Sequence, residues 1–135
     1  MYLLDTNVIS AGRRPKRRME LAEWLYAQAD TDLFISVISL GEIARGIRLQ
    51  EARNAAFAAT LTAWLTRTET LFTDRILPFG AAEARIWGHL SADLGHPGAD
   101  LMIAATALTH HMTVVTGNVS DFRPTGVDLL NPFKT

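Results

Sequence analysis

The chain has 135 residues, 48% of them hydrophobic and 20% charged, with a net charge of -1 at pH 7 and no cysteine. Length and composition suit one globular domain over residues 1–135 with its own core, and exclude a disordered chain. Absent thiols exclude disulfides, thiolate metal sites and cysteine nucleophiles, and the near-zero net charge excludes nucleic-acid binding by overall electrostatics, leaving only a local patch for that role. The N-terminus has no basic lead, its first apolar run breaks at Asp5, and no run is long enough to cross a bilayer, so we expect neither signal peptide nor membrane role, and a cytoplasmic home.

The first run, Tyr2-Leu3-Leu4, ends abruptly at Asp5, which reads as a buried strand delivering a carboxylate to its C-terminal tip. Asn7 is expected to cap a short helical turn closed by Gly12. The RRPKRR run then supplies Arg13, Arg14, Lys16, Arg17 and Arg18, a candidate RNA-binding patch whose competing reading is a solvated helix start. Pro15 suits the first turn of a second helix, where Met19, Ala22, Leu25, Tyr26 and Ala29 recur at helical spacing.

Residues 33–38, LFISVI, form a β-branched and aromatic run of strand length, and Ser39 with Glu42 three residues on has the pattern of a capping box. Residues 51–67 predict the second helix of a hairpin, with Phe57, Leu61, Trp64 and Leu65 on one side. Ile76 to Phe79 reads as a third strand, kept to an edge or an end by Pro78. Gly80 opens a helix with Ala84, Trp87 and residues 90–94 inward, residues 95–98 break it, and a small, apolar helix starts near Ala99-Asp100 and packs centrally. Thr113 to Thr116 is a short strand followed by the Gly117-Asn118 turn and Asp121, and Val127 to Leu130 is a last strand. Alternating strands and helices give an α/β fold with a mostly parallel sheet covered on both faces.

Asp5, Glu42, Asp100 and Asp121 thus fall at the same topological place, the C-terminal rim of the sheet. Singly, Glu42 reads also as a capping partner, Asp100 as a first-turn acid and Asp121 as a turn residue. Together they repel, and a divalent cation is the usual means of keeping several carboxylates ionised in one pocket; all-oxygen ligation favours Mg²⁺ or Mn²⁺ over zinc. Such a site suggests attack of an activated water on a phosphodiester, which is nuclease chemistry. The sequence holds no Gly-rich phosphate loop, no G-x-S-x-G and no H-E-x-x-H.

The segments LLDTNVIS, SVISLGEIARGI, ADLMIAATAL and TGNVSDF, in this order over nearly the whole chain, resemble the PIN-domain family and, within it, the VapC-type toxins of toxin–antitoxin pairs. The resemblance implies a three-layer α/β/α sandwich and a Mg²⁺- or Mn²⁺-dependent endoribonuclease held inactive by a cognate antitoxin. It makes Asp5, Glu42 and Asp100 the core metal ligands and catalytic acids, with Asp121 the more variable fourth. Thr6 and Asn7 lie around the first ligand, the asparagine supporting the site. Thr116 and Asn118 match a T-x-N-x-x-D-F segment whose hydroxyl is placed to touch a carboxylate or a water on the metal. It also implies homodimers, a larger complex with the antitoxin, and an antitoxin groove for which Ile43 to Leu65 and the LFTDR segment are the natural surface. Two alternatives stay open: a non-catalytic PIN-like module that binds RNA or a partner, and an aspartyl-nucleophile phosphohydrolase, although such enzymes carry a second aspartate where Asn7 stands.

Overall fold

A computed structural model describes residues 1–133. Its centre is a five-stranded parallel sheet formed by β1 (Tyr2–Leu4), β2 (Leu33–Ser36), β3 (Ile76–Leu77), β4 (Thr113–Val115) and β5 (Leu129–Leu130), in the order β3-β2-β1-β4-β5. The first strand is therefore the middle one, and β3, which runs into Pro78, is at an edge as expected.

Side-chain alternation along the strands splits the core in two. Leu4, Ile35 and Val115 pack with α1 (Thr6–Gly12), α2 (Met19–Ala27), α3 (Val37–Glu51) and α4 (Ala55–Leu71) on one face. Leu3 and Val114 pack on the other face against α6 (Ala99–His110) and the buried Phe122 of α7 (Val119–Phe122). The α5 helix (Ala81–Leu94) covers the same side and pairs with α6. The result is a three-layer α/β/α sandwich. As its composition implies, α6 is the most deeply set helix, with Leu101, Ile103, Ala104, Ala105 and Ala107 fully buried.

Several local expectations are corrected. The second strand ends at Ser36, whose hydroxyl accepts from the Ile38 N–H at 3.0 Å and caps α3, so Val37 and Ile38 are helical despite their β-branched side chains. Asp5 caps α1 in place of Asn7, which lies inside the helix. The hairpin turn falls at residues 52–54, with Asn54 capping α4 through a 3.0 Å bond from the Phe57 N–H. In α2 the buried position is Leu21, while Met19 and Tyr26 face solvent, and in α5 Ala84 is exposed. Gly95, at φ 79°, ends α5 in the left-handed region that favours glycine.

Arg75, unremarked in the sequence, fastens the α4 end to the entry of β2. Its guanidinium donates to the Asp30, Leu33 and Leu71 carbonyls at 2.5, 2.9 and 2.7 Å and lies 4.7 Å from the Phe72 ring centroid. Replacing it leaves three backbone acceptors without their partner. Arg75→Met, which keeps the apolar stem, is expected to lower stability by about 2–4 kcal/mol, read from the urea unfolding midpoint; an unchanged midpoint would mean that water replaces these bonds fully.

Candidate active site at the sheet rim

The register pairs Tyr2 with Leu33 and Thr113, and Leu4 with Val115. One row further lie Asp5, Ser36 and Thr116, all fully or nearly fully buried. The ladder continues into this row, because the Asp5 N–H donates to the Val115 carbonyl at 3.0 Å. A short central strand thus sets an aspartate level with two hydroxyls from its neighbours.

Both oxygens of Asp5 are engaged. Oδ1 accepts from the Thr6 N–H and Oδ2 from the Thr116 hydroxyl, each at 2.8 Å. Thr116 in turn accepts from the Asn118 N–H at 2.9 Å, so the turn after β4 fixes the hydroxyl. Glu42, exposed on α3, is reached by the Thr6 hydroxyl at 2.5 Å, and the same hydroxyl lies 2.8 Å from that of Ser39, which is fully buried. Asp100 is half-buried in the first turn of α6, and Asp121 is exposed in the first turn of α7.

Charge couples the four acids. Burial, reinforced by the negative charges of Asp100 and Glu42, pushes the Asp5 carboxyl up to about 6 against the bonds from Thr116 and Thr6. Asp100 is raised by burial and then by Asp121 and Glu42, with His96 opposing. The ion pairs among the described residues are Arg48–Glu51 and Arg75–Asp74, so none of the four acids is in an ion pair there. In charge and in hard oxygen donors the rim therefore fits a divalent cation. No three acids or histidines among the described residues are drawn within the spacing of a formed metal site.

The remaining candidates divide. Asn7 is exposed and makes no side-chain hydrogen bond among the described residues, and Asn118 contributes through its backbone. In RRPKRR, the Arg13 guanidinium stands 5.5 Å from the Phe57 ring centroid and that of Arg18 5.2 Å from Phe133, while Lys16 and Arg17 are exposed and Arg14 half-buried. Phe133 also packs close on Gly117, where a Cβ would lie 3.0 Å from its ring, so any larger residue in the turn beside Thr116 would need that ring to shift. Ser36, not Ser39, caps α3, and Ser39 instead meets the Thr6 hydroxyl. Both hydroxyls were visible in SVIS, but which of them capped the helix depended on where the sheet ended.

On the α1–α2 side lies a hollow of about 420 Å³ lined by Val8, Ile9, Leu25, Trp64, Leu71 and Phe72 among others. Its walls come from α1, α2, the end of α4 and the Phe72 to Arg75 stretch after it, with Leu4 of β1 and Leu33 of β2 also lining it, and α3 contributes none of them. Among the described residues no helix is long and apolar enough to cross a membrane.

Fold and rim together define a three-layer α/β/α protein with an acidic site at the C-terminal edge of a parallel sheet. The chain belongs to the PIN domain family, whose sequence profile matches residues 2–124. It is 34% identical to Toxin FitB of Neisseria gonorrhoeae over 98% of this chain and 99% of that protein. It is 31% identical to VapC ribonuclease Y4jK of Sinorhizobium fredii over 99% of each. The crystal structure of FitAcB from Neisseria gonorrhoeae superposes with a TM-score of 0.86 at 33% identity, covering all of both chains.

An unfolded aspartate titrates near 3.8, so between that pH and about 6 folded Asp5 keeps a proton that the unfolded chain has released. Stability from this group therefore falls as pH rises through the window, by about 3 kcal/mol in all. In EDTA, Asp5→Asn is expected to be more stable than the parent at pH 7.5 and to lose that advantage near pH 4, measured by urea unfolding. A variant less stable at pH 7.5 would mean that the lost carboxylate bonds outweigh its desolvation.

Proposed function

We propose that this protein is a Mg²⁺- or Mn²⁺-dependent endoribonuclease, acting in the cytoplasm as the toxin of a toxin–antitoxin pair. The observation that carries the reading is the buried Asp5, bonded at both oxygens and faced by Glu42 and Asp100, with Asp121 beside Asp100 and, among the described residues, no ion pair to any of the four. The names of the toxin and ribonuclease relatives support the same direction.

Asp5, Glu42 and Asp100 would hold the cation, with Asp121 completing the acidic edge. When bound, the cation supplies activation of water for attack on a phosphodiester and stabilises the charge that develops on the phosphate. Thr116 and the Thr6 N–H keep Asp5 oriented, each occupying one direction on its oxygen and leaving other lone pairs for a ligand. Thr6 holds Glu42 toward the same rim. Asp5→Asn keeps size and an acceptor but loses the charge, so Mg²⁺-dependent RNA cleavage is expected to fall to background. Cleavage at the parental rate by a correctly folded variant would overturn the assignment. Tight Mn²⁺ binding by the parent without cleavage of any RNA would favour the non-catalytic reading.

The RNA backbone is assigned to the basic run. Arg13 and Arg18 lie over aromatic rings, which leaves Arg14, Lys16 and Arg17 as the freer cations. Replacing those three by glutamine is expected to weaken RNA binding and to flatten the slope of log affinity against log salt by about 2, since each single-strand phosphate contact contributes about 0.7. An unchanged slope would return the run to a solvated helix start. The cognate antitoxin is assigned to the apolar hollow between α1, α2 and α4, where an amphipathic segment can bury its apolar face. A homodimer, and a larger complex with the antitoxin, complete the reading.

A further inference from the structure

We propose that Ser39 is a positioning residue for Glu42, acting through Thr6. This rests on the reading of the rim as a metal site. The Thr6 hydroxyl has one proton and two neighbours, Glu42 Oε1 and the Ser39 hydroxyl, at 2.5 and 2.8 Å. An ionised carboxylate only accepts, so Thr6 donates to Glu42 and the proton between Thr6 and Ser39 must come from Ser39. Ser39 is completely buried, and Thr6 is the one side-chain partner of its hydroxyl among the described residues. A buried hydroxyl left without a partner is costly, so Ser39 is constrained to point its proton at Thr6 and thereby commits the Thr6 proton to the carboxylate.

Glu42 needs such a device. Its side chain is exposed on α3, has no basic partner among the described residues, and faces the negative charges of Asp5 and Asp100. Repulsion drives it outward, and rotamer freedom on a solvent-facing helix costs nothing. The relay from Ser39 through Thr6 opposes both, and because Thr6 also donates its N–H to Asp5 Oδ1, one residue ties the two carboxylates together. Ser39 sits one helical turn before Glu42, so the helix itself sets the spacing between the buried anchor and the acid it controls.

The test is Mn²⁺ affinity, measured by titration calorimetry and by electron paramagnetic resonance of free Mn²⁺, in a cycle of Ser39→Ala with Glu42→Gln. Ser39→Ala is expected to weaken Mn²⁺ binding about tenfold, the lower range for loss of a partner that orients a ligand. In the Glu42→Gln background the same change is expected to have no further effect, and Ser39→Thr, which keeps the hydroxyl, to restore parental affinity. Equal losses in both backgrounds, or unchanged affinity in Ser39→Ala, would overturn the proposal. Should Ser39→Ala fail to fold, Thr6→Val in the same cycle reads the relay from its other end, and additive losses there would also overturn it. If the parent itself binds no Mn²⁺, the metal reading fails first, an outcome separate from a parent that binds and a relay that does not matter.

Discussion

Asp5 is gripped from two sides, by the backbone amide of the residue that follows it and by a threonine hydroxyl 111 residues further along the chain. Neither bond is unusual alone. Together they let a carboxylate stay in a row of buried side chains whose neighbours, Leu4 and Val115, are pure hydrocarbon. The cost of that burial appears in its raised pKa, and the acids around it add to the cost. A site built this way is destabilising until something cationic enters, which is a general way for a protein to hold binding energy in reserve.

The arrangement follows from strand order more than from any one motif. With β1 in the middle, its tip is flanked by the ends of β2 and β4, and every helix that follows those strands starts near the same edge. Ser36 closes β2 and opens α3 at one residue, so Ser39 and Glu42 arrive within the first two turns of the helix. The turn after β4 performs the matching task on the other side, with Gly117 small enough to admit Phe133 against it.

Much of this was legible in the sequence. Strand–helix alternation gave the layered fold, and the four acids were found because each stands where an apolar run stops or a helix starts. What failed was local phase. Val37 and Ile38 have side chains that suit a strand, and only the level of the sheet edge, a tertiary fact, turns them into helix. A capping-box pattern at Ser39 was satisfied by spacing while the real cap lay three residues earlier. Tyr26 recurs at helical spacing with Ala22 and Ala29, yet it faces solvent and Leu21 is the buried position of α2. Arg75 could not be read at all, since its acceptors are backbone carbonyls, which any sequence supplies.

The long reach of the Asp5–Thr116 bond has a meaning for biosynthesis. In a chain made from its N-terminus Asp5 emerges well before the strand that completes its ladder and the hydroxyl that orients it, which come only after residue 112. Until then β1 lacks one neighbour, and closing so large a loop is slow relative to forming local helices. The rim therefore cannot be completed before Thr116 has been made, and a chain that stops short of it carries Asp5, Glu42 and Asp100 without the hydroxyl that orients the first of them.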